Sequence, residues 1–317
     1  MKSFLKTIVL LLSILFLLNL VKDYGFTYLL NHSQTVLYKG WNTIIHDNVD
    51  ADLLVMGSSR ACVQYDPHIM DSLLSVNSYN LGLNGSHVKR QIVKYHVYCR
   101  YQRKKPSFLI VNFDYFGNWR RDGEYHREQY FPYLANPFIR RLILTKKQER
   151  FSIGELYVPM YRYYCQGIKN LIENNIENNK DEYLDKHWYK GYYWGTPSEW
   201  DGSEFAKIET YRFMAIQDVV DEFDVFLSEL QKEGVRVLFV CSPIYIGATE
   251  KTVNLSEFYD FRNHFSEKYG IPVLDYIYDP LCCDTAYFYH ATHLNKSGAE
   301  LFTTKLCHDL DSLGLLK

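Results

Sequence analysis

Two short stretches near opposite ends of the sequence carry residue types that together can perform nucleophilic chemistry. Gly57-Ser58-Ser59 follows directly on the apolar run Leu53 to Met56, which predicts a buried strand that ends in a tight turn. Tyr289-His290-Ala-Thr-His293 precedes the last predicted helix. A hydroxyl becomes a nucleophile when a neighbouring imidazole accepts its proton. One end of the chain therefore offers a nucleophile and the other a base, while capping of the next turn is the non-catalytic alternative for the serines.

The two stretches resemble the SGNH or GDSL-like hydrolase superfamily, in its divergent membrane-anchored branch that carries a Gly-Ser-Ser-Arg motif. That family places a Gly-x-Ser turn after its first strand, here Gly57-Ser58-Ser59, and an Asp-x-x-His pair before its last helix, here His290-Ala-Thr-His293. The resemblance runs from Ala51 to the C-terminus, and its motifs lie at the two ends of that range. It implies a three-layer α/β/α fold of the flavodoxin-like type around a mostly parallel sheet.

The resemblance also implies the catalytic pair. The family's reactive serine is the third residue of Gly-x-Ser, so Ser59 is the predicted nucleophile and Ser58 is the alternative. His293 is the predicted base, which takes the Ser59 proton and returns it to the leaving alcohol.

The oxyanion hole implied by the family has up to three donors. Two are the backbone N–H groups of Ser59 and Gly85, where a glycine lets the substrate approach the backbone closely. The third is an asparagine after the third strand, whose position is shifted in this sequence. Asn118 is the predicted third donor, and Asp114 is the alternative at that place.

The acid of the triad departs from the family pattern, because His290 occupies the position three residues before His293. A neutral imidazole can orient His293 through a hydrogen bond but supplies no negative charge for the imidazolium. Asp284 and Asp279, earlier in the same loop, are the alternative acids. Without an acid, the site is a Ser–His dyad or belongs to an inactive relative.

The elements that must position these residues alternate between strand and helix patterns, which favours a parallel sheet with helices on both faces. An aspartate and a proline, Asp66-Pro67, predict the start of the first helix of this series. The predicted strands begin at Leu53, Ser78, Pro106, Val235 and Pro272, and the predicted helices are 67–74, 88–101, 213–232, 255–269 and 297–310. Residues 115–205 interrupt this alternation and are interpreted as an inserted subdomain or lid.

The N-terminus has the layout of an export signal, with Lys2 and Lys6 before an apolar run that ends at Val21. Residues 1–23 are predicted to be an uncleaved membrane anchor, with a cleaved signal peptide as the alternative. Residues 24–50 form a membrane-proximal connector, predicted to be helical around residues 33–45, and residues 51–317 form the SGNH-like domain. The lysines place that domain outside the cytoplasm, in the periplasm or the extracellular space, and it is secreted if the signal is cleaved.

Composition argues against several other functions. A net charge of −2 gives no electrostatic basis for binding nucleic acid. Seven cysteines without a Cys-x-x-Cys pair give no zinc site, so no metal and no cofactor are predicted. Outside the cytoplasm one disulfide is allowed, with partners that the sequence does not identify. Neither a Gly-x-Gly-x-x-Gly nor a phosphate loop follows the first strand, which disfavours nucleotide binding.

The sequence thus predicts a serine esterase or O-acyltransferase that acts on acyl esters of an extracytoplasmic glycan or cell-envelope polymer. The 28 tyrosines and the anchor motivate that substrate class. The rival hypothesis is a catalytically decayed protein of the same fold that serves as a glycan-binding or envelope-assembly scaffold.

Overall fold

The structure, a computed structural model, describes residues 1–120, 127–145, 151–165, 187–193, 200–202 and 210–316. The chain divides into two compact units. The first combines Met1–Thr43 with His126–Asp185, and the second combines Ile44–Tyr125 with Lys186–Lys317. The predicted insert, 115–205, contributes to both units, and much of it, including the asparagine-rich run 170–180, lies outside the described residues.

The second unit is built on five parallel strands in the order β2-β1-β3-β6-β7. Two antiparallel hairpins, β4-β5 and β8-β9, stand apart from this sheet. The strands are β1 Leu53–Met56, β2 Ser78–Asn80, β3 Phe108–Asn112, β4 Trp188–Tyr189, β5 Tyr192–Tyr193, β6 Arg236–Cys241, β7 Val273–Asp275, β8 Phe288–His290 and β9 His293–Leu294. Every residue of β1, β2 and β3 is buried, as expected for a parallel sheet covered on both faces.

The strand order indicates where in this sheet a ligand would bind. The chain leaves β1 to form β2 on one side and returns to form β3 on the other side. Open α/β sheets bind ligands beyond the carboxyl ends of their strands, at the point where the strand order reverses. That point lies between β1 and β3, directly where the Gly57-Ser58-Ser59 turn follows β1.

The helices of the second unit form two groups. Helix α12 packs on α3 and α4, whereas α9 packs on α5 and α11. The helices in the described part of the chain are α1 Lys2–Asn31, α2 Val36–His46, α3 Ser59–Gln64, α4 Pro67–Leu74, α5 Val88–Tyr101, α6 Pro137–Thr145, α7 Ile153–Tyr157, α8 Tyr161–Cys165, α9 Gln217–Glu233, α10 Ile246–Glu250, α11 Leu255–Tyr269 and α12 Lys296–Ser312. Short 3₁₀ helices occupy Arg127–Tyr133, Pro280–Cys283 and Thr285–Tyr287.

Helix α1 in the first unit is long and apolar enough to cross a membrane, which is compatible with an anchor or a signal sequence. It continues without a break past the predicted boundary at residue 23, through Lys22 and Asp23, and ends at Asn31. At about 1.5 Å per residue, the thirty residues of α1 form a helix of about 45 Å. The helix is therefore longer than its apolar run, which ends at Val21.

Most predicted elements of the second unit are confirmed, with several differences. Helix α9 begins at Gln217, four residues later than predicted, and the five-residue helix α10 was not predicted. The structure adds α3, a six-residue helix that begins at Ser59 itself, before the predicted helix at Pro67. The segment around His290 and His293, predicted to be a loop, is the β8-β9 hairpin. All seven cysteines are unpaired, so the allowed disulfide is not formed.

Candidate active site

The two residues predicted to act as nucleophile and base lie in direct contact. The Oγ atom of Ser59 lies 2.8 Å from Nε2 of His293. Ser59 is the first residue of α3, just beyond the carboxyl end of β1, and His293 opens β9. Ser59 is half-buried, so its hydroxyl remains within reach of a ligand. A serine hydroxyl that donates to an imidazole is the arrangement required for proton abstraction by a general base.

The turn that carries Ser59 depends on a glycine. A Cβ atom at Gly57 would lie 2.7 Å from Cβ of Ala61 and 2.8 Å from Cβ of Asn112. The backbone therefore passes between α3 and the end of β3 only because no side chain is present.

The alternative nucleophile, Ser58, is placed differently. Ser58 is only 7% exposed, and its hydroxyl helps to lower the pKa of the buried Asp114. The geometry thus favours Ser59 over Ser58 as the nucleophile, since only Ser59 contacts the imidazole among the described hydrogen bonds.

Beyond His293, a chain of hydrogen bonds runs along the hairpin. Nδ1 of His293 lies 2.9 Å from Oγ1 of Thr292, and that oxygen lies 3.2 Å from Nδ1 of His290. In the tautomer that leaves Nε2 of His293 free to accept, Nδ1–H donates to Thr292, whose hydroxyl then donates to His290. The backbone N–H of Thr292 also points to Nδ1 of His290, at 3.4 Å, which agrees with an acceptor there.

His290, at the predicted acid position, is therefore connected to Nδ1 of His293 through the hydroxyl of Thr292. His290 and His293 stand edge to face with ring centroids 5.9 Å apart, and Thr292 bridges their Nδ1 atoms. Thr292 was not among the predicted site residues, because the family pattern directs attention three residues before the base. Its only sequence signal is a hydroxyl next to His293.

The two alternative acids are engaged elsewhere. Asp279 caps the 3₁₀ helix at Leu281 and forms an ion pair with Lys305. Asp284 is exposed, and its carboxylate accepts from the N–H of Ala286. Within the described part of the chain, no hydrogen bond joins either carboxylate to His290 or His293, so neither takes the place of the triad acid.

The environment of His293 favours its neutral form. Burial, the positive charge of Arg60 and the neighbouring His290 together lower the pKa of His293 from 6.5 to about 3. Tyr289 stacks against the ring, with centroids 5.5 Å apart. A histidine in this state is neutral at neutral pH, so its Nε2 is free to accept a hydrogen bond, but it is a weak base, because its surroundings disfavour the imidazolium and no carboxylate supports it.

A buried ion pair lies next to the nucleophile. Nε of Arg60 donates to Oδ2 of Asp114 at 2.7 Å, and the two side chains are 3% and 1% exposed. The other oxygen of Asp114 accepts from the N–H of Phe116. Burial raises the pKa of Asp114, and the Arg60 charge opposes that shift. Both oxygens of Asp114 thus accept hydrogen bonds, from Arg60 and from Phe116, and an ionised carboxylate has no proton to donate. The geometry therefore favours Asn118 over Asp114 as the third oxyanion donor.

The loops that carry the predicted oxyanion donors meet at the Ser59 turn. The N–H of Leu83 donates to the carbonyl of Gly57 at 3.0 Å, and the N–H of Val88 donates to the carbonyl of Asn118 at 2.9 Å. These two bonds join the first, second and third loops at the edge of the sheet. Gly85 is exposed at the tip of its loop with φ of 62°, a left-handed conformation that favours glycine.

A second glycine of this loop matters more for packing than the sequence suggested. A Cβ atom at Gly82 would lie 2.5 Å from the backbone nitrogen of Cys62, in the first turns of α3. The N–H of Gly82 donates to the side chain of Asn80, whose amide in turn donates to the carbonyls of Ala61 and Tyr65. Gly82 and Asn80 thus hold α3, and with it Ser59, against the second loop.

Among the described residues, no group of three or more His, Cys, Asp or Glu side chains is arranged to hold a metal ion. The arrangement can do chemistry through a serine, an imidazole and backbone donors. No protein-family model matches the chain, and no curated protein matches it.

Proposed function

We propose that this protein is a membrane-anchored serine esterase or O-acyltransferase of the SGNH-like type, acting on acyl esters of an extracytoplasmic glycan or cell-envelope polymer. The observation that carries the proposal is the 2.8 Å hydrogen bond between Ser59 and His293 at the edge of the parallel sheet. The neutral state of His293, whose pKa is lowered to about 3, gives that pair the protonation needed for attack.

In the proposed reaction, Oγ of Ser59 attacks the acyl carbonyl while its proton moves to Nε2 of His293. The N–H of Ser59, at the start of α3 where amides lack helical acceptors, is the proposed first donor to the oxyanion, and Gly85 and Asn118 are the proposed others. Collapse of the tetrahedral intermediate breaks the ester bond, and the leaving alcohol takes the proton from His293. A water molecule or a sugar hydroxyl then attacks the acyl-serine while His293 accepts its proton. Collapse of this second intermediate breaks the bond between the acyl carbon and Oγ of Ser59, which takes the proton back from His293.

The relay through Thr292 supports catalysis without a carboxylate. When His293 becomes positively charged, its Nδ1–H bond to Thr292 strengthens, and His290 holds the hydroxyl of Thr292 in the orientation that accepts it. Hydrogen bonds to charged groups contribute about 1.5–3 kcal/mol each, less than a paired carboxylate supplies. We therefore expect slow turnover with either acceptor, water or a sugar hydroxyl.

The proposal is tested by labelling the full-length protein in detergent with a fluorophosphonate. Ser59→Ala and His293→Ala should abolish labelling, and Ser58→Ala, a neighbouring hydroxyl removed, serves as the matched control and should retain it if folding is unchanged. An acylated aryl ester, offered with and without a glycan acceptor, then separates hydrolysis from transfer. Labelling that persists in Ser59→Ala would overturn Ser59 as the nucleophile.

A second function is favoured by one observation, namely that no described carboxylate contacts His293. In that case the protein is a glycan-binding or envelope-assembly scaffold that keeps the fold without turnover. Retention of the protein on a glycan affinity gel, unchanged by Ser59→Ala and His293→Ala, together with absent labelling of the wild type, would favour the scaffold.

A further inference from the structure

One segment of the first unit buries charged side chains and exposes large apolar ones, the opposite of a surface that faces water. In Ile153–Cys165, which comprises α7 and α8, the charged side chains of Glu155 and Arg162 are 5% exposed, whereas Ile153 is 78% and Tyr157 66% exposed. The outward apolar side chains of this segment, here called the aromatic platform, are Ile153, Tyr157, Val158, Tyr161 and Tyr164. Buried charges beneath exposed apolar groups indicate that something other than water covers the outer side.

One of the two inward charges, Arg162, attaches the platform to helix α1, whereas Glu155 caps α7 and forms an ion pair with Arg127. The guanidinium of Arg162 donates to Asp23 at 2.6 Å and to Thr27 at 3.2 Å. The N–H of Met160 also donates to Asp23, and the hydroxyl of Tyr163 bonds Thr27. These contacts tie α8 to the part of α1 that lies just beyond the apolar run.

One further contact reaches towards the apolar run itself. The hydroxyl of Tyr164 donates to Oδ1 of Asn19 at 3.2 Å. Asn19, Asp23 and Thr27 follow each other at intervals of four residues, so they form one polar stripe on α1 that faces the platform. Tyr164, which is 52% exposed, lies at the N-terminal end of this stripe.

The height of Asn19 on α1 relates the platform to the membrane. From Phe4 to Asn19 the helix rises by about 22 Å, and a hydrocarbon core is about 30 Å thick. A span that begins near Phe4 therefore leaves the hydrocarbon a few residues beyond Asn19. Tyr164 consequently lies close to the boundary between acyl chains and headgroups, where tyrosine is enriched in membrane proteins.

We propose that the aromatic platform lies on the lipid surface of the bilayer that α1 crosses, with its tyrosines in the headgroup region and Ile153 among the upper acyl chains. The occupant is the membrane itself, because the hydrogen bond between Tyr164 and Asn19 holds the platform beside the apolar run of α1. The first unit is then attached at two places, by the spanning helix and by the platform. This inference does not depend on the catalytic proposal.

The test places a photo-crosslinking residue, p-benzoylphenylalanine, at single positions of the full-length protein in phosphatidylcholine nanodiscs. Tyr157 and Tyr164 are the test positions, Phe16 within α1 is the positive control, and Tyr278 is the matched negative control. Tyr278 is a tyrosine of the second unit that is 62% exposed, close to the 66% of Tyr157. All variants are compared by thermal unfolding first, so that only folded proteins are irradiated.

We expect lipid adducts at Tyr157 and Tyr164 within a few-fold of the yield at Phe16 and at least tenfold above the yield at Tyr278. Equal yields at Tyr157 and Tyr278, with Phe16 labelled, would overturn the proposal. Adducts between two copies of the chain in place of lipid adducts would overturn it as well, because they would assign the platform to self-association. Absence of lipid adducts at Phe16 would remove α1 from the bilayer and the proposal with it.

Discussion

The hydroxyl of Ser59 and the imidazole of His293 form a 2.8 Å hydrogen bond although 234 residues separate them in the chain. The parallel sheet makes this contact possible, since Ser59 follows its strand β1 and the β8-β9 hairpin contacts α3 through β9. Four predictions follow from the surroundings of this pair.

Removing the hydroxyl of Thr292 should weaken the base. Thr292→Val keeps the branched shape but leaves Nδ1 of His293 without its acceptor, and a lost hydrogen bond to a charged group costs about 1.5–3 kcal/mol. The rate of fluorophosphonate labelling should fall by roughly 10- to 100-fold. Thr292→Ser, which retains the hydroxyl, is the control and should stay within a few-fold of the wild type. Equal rates for Val and Ser would remove Thr292 from the relay.

The labelling rate should depend on pH in an unusual way. Because burial and Arg60 lower the pKa of His293 to about 3, the imidazole stays neutral as the pH falls from 8 to about 4, and the rate should remain nearly constant over that range. With a pKa of 6.5, only about one-hundredth of the imidazole would be neutral at pH 4.5. The measurement is the second-order labelling rate between pH 4 and 8, with circular dichroism at each pH to verify folding. A decline centred near pH 6.5 would contradict the prediction.

Breaking the buried ion pair of Arg60 and Asp114 should destabilise the second unit strongly. Arg60→Met leaves a buried carboxylate without its partner, and such losses cost about 3–5 kcal/mol in the free energy of unfolding. Urea titration followed by tryptophan fluorescence measures this, and Trp119, which donates to the carbonyl of Asp114, lies close to the pair.

The matched control for the ion pair is on the surface. Lys105 and Glu233 lie 2.9 Å apart with side chains 58% and 40% exposed, so Glu233→Gln should cost less than about 1 kcal/mol. The double variant Arg60→Met/Asp114→Leu should be less destabilised than the sum of the single variants, because neither charge is then left alone. Additive costs would indicate that the pair is not coupled.

Adding one methyl group at Gly57 should disturb the nucleophile. The new Cβ would lie within 2.8 Å of both Ala61 and Asn112, and overpacking of this kind costs about 1–3 kcal/mol. Gly57→Ala should therefore lower the unfolding midpoint and reduce labelling at least tenfold through displacement of Ser59. Gly25→Ala, at a position with nothing within 4 Å, is the control and should change neither. Unchanged labelling in Gly57→Ala would show that the turn tolerates a side chain.

Regular elements of the second unit were predictable because their patterns extend over many residues. Helices α5 and α11 begin and end at the predicted residues, and all five strands of the sheet overlap the predicted strands. Helix α3 was missed because six residues are too few to show a helical period, and its stability comes from contacts with Gly82 and Asn80. Such contacts between distant segments leave no local signal.

The same reason explains the differences at the site and in α1. Thr292 bridges Nδ1 of His290 and Nδ1 of His293 because the bend of the hairpin brings both nitrogens close to its hydroxyl. Spacing along the sequence does not reveal this bend. The predicted anchor ends at residue 23, whereas the helix continues to Asn31, and Asp23 within it forms an ion pair with Arg162. That partner lies 139 residues further along the chain and leaves no local signal.

The short β8-β9 hairpin has a consequence for how this site can change. His290, Thr292 and His293, which form the proposed proton relay, lie within four consecutive residues, and His293 bonds the proposed nucleophile, Ser59. We therefore expect that substitutions at residues 290–292 change the basicity of His293, while the parallel sheet and the Ser59 turn, which lie on other elements, stay in place. A library confined to these three positions samples carboxylate, hydroxyl and imidazole partners on one scaffold, and selection from it would reveal how strong a base this fold can be given.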